Sequence, residues 1–304
     1  MNYLSKTKKL SVLLVVILLC MTLAAVGCQP SEPTADETSG ELTKLRFGAI
    51  PGEEVENIRA KYEPLAEYLE KALDMEVDIF VGTDFTATVE AMRAGNLDIA
   101  FFGPFSYVLA TDVANAEAFA IENDKERGIF IESYIITHPD SGIEEIADLK
   151  GKTFGFVDPA STGGYLIPRM HMVEAGIDPD NDLASTVFLG GHDACAIAVK
   201  NKQVDAATIN TLYHRYVEEG LISEENVKII HTSEPFPGGP LAWRKDLPED
   251  LKAKIKDAIV NMPEEEFKKI GKESSTGYVE VEDSDWDVIR KCAEVLELDL
   301  EGMN

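Results

Sequence analysis

Hydrophobic and polar positions divide the chain into short repeating units. Lys44-Leu45-Arg46-Phe47-Gly48-Ala49-Ile50 alternates before turning apolar, which predicts a strand, and Pro51-Gly52 breaks it. Tyr62, Leu65, Ala66, Leu69 and Leu73 then recur at helical spacing, giving one buried face. A second strand over Glu76 to Val81 ends at Gly82-Thr83-Asp84, and a helix carrying Val89 and Met92 stops at Gly95-Asn96. The apolar-rich segment Leu97 to Phe102 reads as a further strand. Strands alternating with helices predict a parallel sheet covered by helices.

The pattern restarts after Ile135-Ile136. Asp148-Leu149-Lys150-Gly151-Lys152 leads into a strand at Thr153 to Val157 and a helix from Gly164 to Ala175. Thr186 to Leu189, Val204 to Ile209 and Asn226 to His231 read as strands, with a helix over Asp193 to Lys200 between the first two. The Pro- and Gly-punctuated loop 233–240 precedes a mostly helical ending: Pro248 to Met262, Pro263 to Ile270 and Trp286 to Leu296. The expected architecture is therefore α/β and bilobal. Residues 42–135 with 235–304 form lobe 1, 136–234 form lobe 2, and two crossovers serve as hinge. Ligands of open parallel sheets lie beyond the carboxyl ends of the strands, so two such lobes would face each other across a closable cleft.

Residues 1–27 carry a different signal. Lys6, Lys8 and Lys9 precede an apolar run from Leu10 to Leu19, and small residues Ala24-Ala25-Val26-Gly27 stand directly before Cys28. That is the layout of a secretory signal. The alternative is a membrane anchor, but Leu10 to Val26 is at the short limit for a span. The cysteine after Val26-Gly27 resembles a bacterial lipoprotein signal, with Ala25 where Leu is usual, and implies acylation of Cys28. Residues 28–41 contain no large apolar side chain and read as a flexible tether. The protein is then exported and held on the extracytoplasmic face.

Charge narrows the partners. The net charge of −27 falls to −30 when the three signal lysines leave. This argues against nucleic acid and against docking on anionic headgroups, and any anion site must be built locally from dipoles. Cys195 and Cys292 lie in helical patterns and read as buried small hydrophobes rather than a disulfide framework.

Three strand-to-helix junctions combine glycines, hydroxyls and a helix start: Phe101 to Tyr107, Phe156 to Tyr165, and Leu189 to Ala194. Free N–H groups and the macrodipole at such starts attract anions, and glycines allow close approach. A plain helix cap explains any one of them; three in two lobes point to a site. His192, after Gly190-Gly191, reads as facing a ligand.

Asp158-Pro159-Ala160-Ser161-Thr162-Gly163-Gly164, Gly190-Gly191-His192-Asp193-Ala194, Glu90-Ala91-Met92-Arg93 and Gly103-Pro104-Phe105-Ser106-Tyr107 resemble the signatures of phosphate/phosphite/phosphonate-binding proteins (PhnD-like). Val204 to Ala207, Asp148 to Lys152 and Pro240 to Arg244 agree, in order along nearly the whole mature chain. The resemblance implies a type II periplasmic-binding-protein fold, an ATP-driven permease as partner, a monomer, and no cofactor or metal. It places the ligand oxygens at Ser161, Thr162, Gly163 and His192, with Tyr107 and Phe85 on the opposite wall. Gly163 replaces a frequent Ser, and Phe85 a common Tyr. Two carboxylates that surround the amine in aminoethylphosphonate binders align with Leu212 and Gly239, and a pocket tyrosine with Ile131. An ammonium would be desolvated there without a counter-charge. The resemblance therefore points to phosphite, methylphosphonate or phosphate. Asp193 either enters the pocket, where an acceptor-only carboxylate would reject unprotonated sulfate, or merely favours its helix start.

Three other classes share part of this pattern. Ser161, His192 and Asp193 suggest a hydrolase triad, but consecutive residues at a helix start project about 100° apart, and no Gly-x-Ser-x-Gly elbow occurs. Five scattered histidines show no metal-ligand spacing. A subunit presenting its ligand to a membrane sensor kinase would share the fold.

Overall fold

The computed structural model describes residues 42–270 and 274–298; the signal, Cys28 and the tether lie outside them. The first run is β1 (Lys44–Ala49), α1 (Val55–Leu73), β2 (Glu76–Val81), α2 (Phe85–Arg93), β3 (Ile99–Phe101), α3 (Pro104–Ala114) and β4 (Ala116–Asp124). Short β5 (Phe130–Ile131) leads into β6 (Ser133–Thr137) and β7 (Thr153–Phe156). A wide helical turn, Thr162–Leu166, then runs into α4 (Ile167–Glu174). After it come β8 (Ser185–Phe188), α5 (His192–Lys200), β9 (Ala206–Asn210), α6 (Leu212–Glu218) and β10 (Lys228–Thr232). The chain returns through β11 (Phe236–Pro237) to β12 (Pro240–Arg244), α7 (Glu249–Val260), α8 (Glu264–Ile270), β13 (Ser275–Glu280) and α9 (Asp287–Val295).

Two sheets result, in the orders β13-β4-β12-β3-β1-β2 and β10-β6-β9-β7-β8. In the first, β2, β1 and β3 run parallel, while β12 pairs antiparallel with both β3 and β4. In the second, β8, β7 and β9 are parallel and β6 antiparallel to β9. Between the sheets, β5 and β11 pair as Phe236 with Ile131 and Pro237 with Phe130, and these are the two crossovers. This is the bilobal type II arrangement. Because β6 belongs wholly to the second sheet, that sheet begins at Ser133, inside the stretch assigned to lobe 1 from sequence.

One packing detail repeats in both sheets. Gly48 in β1 lies against Leu97 and Ala100, where an added Cβ would sit 2.5 Å from the Leu97 Cδ1. Gly155 in β7 lies against Leu189 and Ala207, where the corresponding gap is 2.6 Å. In each lobe a glycine lets the leucine of the neighbouring segment cross the strand just below the cleft.

The C-terminal stretch holds more than helices, because β12 and β13 complete the first sheet. Its last helix, α9, packs on α3 of lobe 1 and also on the wide turn and α4 of lobe 2. Trp286, fully buried just before α9, donates its indole N–H to the hinge carbonyl of Gly238 at 3.0 Å. The segment therefore braces both lobes rather than the first alone. At the far end of β3, Asp98 interrupts the apolar segment and is fully buried. Burial alone would raise its carboxyl, but Arg46 (2.6 and 2.8 Å) and Arg244 (3.0 Å) outweigh that and hold it below the ordinary range. Among the described residues no helix is long and apolar enough to cross a membrane.

Candidate functional site

The carboxyl ends of both sets of parallel strands meet across a cavity of about 170 Å³. Lobe 2 supplies its polar wall. After β7, Asp158 accepts the Ala160 N–H at 2.8 Å and tightens the loop into the wide turn. Ser161 Oγ accepts the Gly164 N–H at 3.1 Å, capping that turn. The carbonyl of Gly163 is held by the hydroxyls of Ser133 (2.6 Å) and Thr208 (2.7 Å). Gly164 is required here, since a Cβ would lie 2.5 Å from Val157 and 2.6 Å from Ser161 Oγ. The outcome is a helix start whose Thr162 and Gly163 N–H groups have no partner among the described residues. Both residues line the cavity, as does Ser161. A turn wider than an α-helix at such a place is common at functional sites.

His192 opens α5 and lines the same cavity. Its backbone N–H is bonded to the Gly52 carbonyl at 3.0 Å, while its buried Nδ1 has no partner. Burial pushes the imidazole down to about 4, against a smaller opposing effect of the Glu53 carboxylate, so it is neutral at pH 7. The polar wall thus carries hydroxyls, amide N–H groups and a neutral ring. It can grip an anion through dipoles, while the cationic side chains of Lys61 and Arg127 border the cavity from the other lobe.

Lobe 1 supplies a mixed wall, with Ile50, Phe85 and Phe101 beside Lys61, Tyr62, Glu122, Asp124 and Arg127. The hinge adds Ile129, Ile131, Gly238 and Gly239 as a floor. Of the residues expected from sequence, Ser161, Thr162, Gly163, His192, Phe85, Ile131, Leu212 and Gly239 come together around this space. Two do not. Tyr107 is fully buried away from it: its hydroxyl donates to Asp283 (2.7 Å) and accepts the Ala118 N–H (3.1 Å), and its ring packs on Trp286. It anchors α3 to the C-terminal segment. Asp193 is also outside the cavity wall. Its carboxylate accepts the Glu54 N–H at 3.1 Å and the Ala194 N–H at 2.9 Å, which holds it at the lobe boundary.

Sequence reasoning overlooked the loop Gly52-Glu53-Glu54. It is a strand-to-helix junction like the other three, but its acidic composition hid it from a search for anion donors. Gly52 and Glu53 line the cavity, and Glu53 receives Tyr216 Oη at 2.8 Å and the guanidinium of Arg215, both from α6 across the cleft. With the Gly52–His192 and Glu54–Asp193 bonds, this loop fastens lobe 1 to lobe 2. Two more contacts close the opposite side: Phe105 N–H to Thr162 Oγ1 at 2.7 Å, and Phe85 N–H to Asp158 at 3.3 Å. The lobes are therefore closed on one another. Asn210, also overlooked, lines the cavity with its carbonyl bonded to the Leu212 N–H.

A family model described as the periplasmic substrate-binding protein of phosphonate ABC transporters matches residues 47–286. The chain belongs to that family. Its members are binding components of importers rather than enzymes, working outside the cytoplasmic membrane with a permease. A phosphate-import protein of Mycolicibacterium smegmatis is 31% identical over 91% of this chain and 93% of its own length. The phosphonates-binding periplasmic protein of Escherichia coli is 35% identical over 71% of this chain and 65% of its own. Among solved structures, a binding component of a phosphonate ABC transporter from Pseudomonas aeruginosa superposes with a TM-score of 0.78. It is 28% identical, and the match covers 87% of this chain and 90% of that one. Among the described residues no cluster of three or more His, Cys, Asp or Glu could hold a metal ion.

Proposed function

We propose that this protein is a lipid-anchored binding component that captures a small phosphorus oxyanion, such as phosphite, methylphosphonate or phosphate, and hands it to its permease. The observation that carries this reading is the convergence on one interlobe cavity of three unused donor groups: the Thr162 and Gly163 N–H groups and the buried imidazole of His192, whose Nδ1 has no partner. The Ser161 and Thr162 hydroxyls, each already accepting one bond, still have a proton to donate. Hydrogen bonds to a charged oxygen contribute about 1.5–3 kcal/mol each, so three or four give a tight site. Closure of the lobes buries the anion and forms the surface the permease recognises.

An amine-bearing ligand is disfavoured. Leu212 and Gly239 stand where counter-charges would be needed, and position 239 is barred to any side chain, because a Cβ there would lie 2.0 Å from the Phe102 carbonyl oxygen. The carboxylates that do border the cavity have partners already: Glu53 has Arg215 and Tyr216, Glu122 has Ser275, and Asp124 has Arg127 at 3.0 Å.

Calorimetry with phosphite, phosphate, methylphosphonate, 2-aminoethylphosphonate and sulfate tests the reading. A phosphorus oxyanion should bind and raise the melting temperature, with a stabilisation of about 2.7 kcal/mol at a hundredfold excess over Kd. Replacing His192 by Ala should weaken it. Micromolar or tighter binding of 2-aminoethylphosphonate would refute the exclusion of amines. Anchoring is tested separately: Cys28→Ser should release the protein from the membrane, since each acyl methylene contributes about 0.8 kcal/mol.

A further inference from the structure

The wide turn that offers the Thr162 and Gly163 N–H groups is completed by residues outside it. Its first carbonyls are taken at the five-residue spacing of a π-type turn: Leu166 N–H bonds the Ser161 carbonyl at 3.0 Å, and Ile167 N–H bonds that of Thr162. At the same spacing the Gly163 carbonyl would be due the N–H of residue 168, but Pro168 has none. Two side-chain hydroxyls take its place: Ser133 Oγ from β6 at 2.6 Å and Thr208 Oγ1 from β9 at 2.7 Å. Both residues are buried, and neither lines the cavity. Ser133 is also where the two crossovers enter lobe 2. Its N–H bonds Ser233 Oγ and its carbonyl accepts the Ser233 N–H, each at 2.9 Å.

These bonds form a chain that ends at the cavity. The Ser133 and Thr208 hydroxyls donate to the Gly163 carbonyl. The N–H at the other end of that peptide group, on Gly164, donates to Ser161 Oγ at 3.1 Å, and Ser161 lines the cavity with its own proton still to give. Each donor in such a chain polarises the next, strengthening the bonds by about 10–30%. We propose that Ser133 and Thr208 are positioning residues of the anion site, acting through the Gly163–Gly164 peptide without touching the ligand. They hold the turn in the shape that leaves its free N–H groups at the cavity, and they strengthen Ser161 as a donor. This rests on the anion reading above and deepens it, by assigning the grip to two residues on the strands behind the turn.

Thr208→Val keeps a branched side chain but removes the hydroxyl, and Ser133→Ala leaves both backbone bonds to Ser233 in place. The Gly163 carbonyl retains one donor in each variant. Calorimetry with phosphate, phosphite and methylphosphonate should therefore show affinity falling about three- to fivefold in either one, the scale of a single neutral hydrogen bond. The double variant strips the carbonyl of both donors, so its loss should exceed the product of the single losses and reach about fiftyfold. Thr208→Ser restores the hydroxyl and should return affinity to within about twofold of the unaltered protein. Thr137→Val is the structural control, because its buried hydroxyl holds the Asp205 carbonyl at 2.6 Å from the other end of β6. It should lower the melting temperature as much as Thr208→Val does and leave affinity unchanged. Should the double variant not fold, Thr208→Val against Thr208→Ser and Thr137→Val decides the matter. No loss in Thr208→Val, or an equal loss in Thr137→Val, would overturn the assignment and leave the anion reading standing. Binding of none of the three anions by the unaltered protein would remove that reading and this assignment together.

Discussion

The two walls of the cleft are made differently. Lobe 2 presents backbone N–H groups and hydroxyls fixed by a turn that requires Gly164, together with the neutral imidazole of His192 at the start of α5. Lobe 1 presents aliphatic and aromatic surface interleaved with the charged side chains of Lys61, Glu122, Asp124 and Arg127, and a loop that bonds to the other lobe. On the function proposed above, the contrast gives the walls separate tasks: lobe 2 grips the anion, and lobe 1 latches the closed form. It also explains how a chain of net charge −27 can bind an anion. Oriented dipoles act over a few ångströms, where the summed negative field of the surface varies little.

The sharpest break of this contrast is Gly164→Ala. Its methyl group would collide with Val157 and Ser161 Oγ, pushing the wide turn out of shape and taking the Thr162 and Gly163 N–H groups with it. Two charge-assisted bonds at about 1.5–3 kcal/mol each make the expected loss of affinity at least about a hundredfold. Gly163→Ala is the control. Its Cβ meets Asn210, Phe236 and Ser133 at 3.4 to 3.6 Å, ordinary contact distances, so affinity should fall by less than about tenfold. Calorimetry on both variants, with circular dichroism to verify folding, reads the difference. Equal losses would mean that the turn does not carry the grip.

His192 provides a pH test of the same wall. Its folded value is depressed from 6.5 to about 4 by burial, so the unfolded chain takes up the proton first as pH falls. The sign follows: stability is fully present above pH 6.5 and is lost between there and pH 4, by no more than about 3 kcal/mol. Thermal melts of the ligand-free protein across that range should slope downward toward acid. His192→Gln should flatten part of the slope, and an unchanged slope would show that the ring is not held neutral by burial.

Glu53→Gln examines the latch on the other side. The variant keeps a hydrogen-bond acceptor for Tyr216 but leaves the Arg215 guanidinium without its charge partner across the cleft. Arg215 is one-third exposed, so solvent screening limits the effect to about 1–2 kcal/mol. The contrast between walls predicts where the loss falls: dissociation should quicken by about tenfold while association is little altered. A loss confined to association would assign Glu53 to ligand attraction instead.

How far the chain could be read in advance follows the same division. The alternating strands and helices of both lobes, and the glycine-rich starts at Ser161 and His192, were legible because local periodicity and helix capping are written into neighbouring residues. The strands β4, β12 and β13 were not, since antiparallel pairing joins residues far apart and the C-terminal segment reads as helical on its own. Tyr107 was misplaced because its motif sits at a genuine helix start; only the tertiary partners Asp283 and Trp286 show that the ring turns away from the cleft. Glu53 was overlooked because its role is to meet a cation on the opposite lobe, which no local pattern reveals.

Asp193 gives the smallest expected effect and the cleanest separation of the two ways of reading the chain. A carboxylate inside the cavity would reject sulfate, and its conversion to Asn should then admit that anion. In the structure the carboxylate lies off the cavity wall and accepts the Glu54 N–H, an interlobe bond that an asparagine carbonyl can also accept. Asp193→Asn should therefore leave the ratio of phosphorus anion to sulfate binding unchanged and weaken both by less than about 1 kcal/mol, the scale of one exposed neutral hydrogen bond. Competition calorimetry with sulfate reads it directly. A gain in sulfate affinity of tenfold or more would return Asp193 to the ligand and place the origin of sulfate rejection in charge on lobe 2.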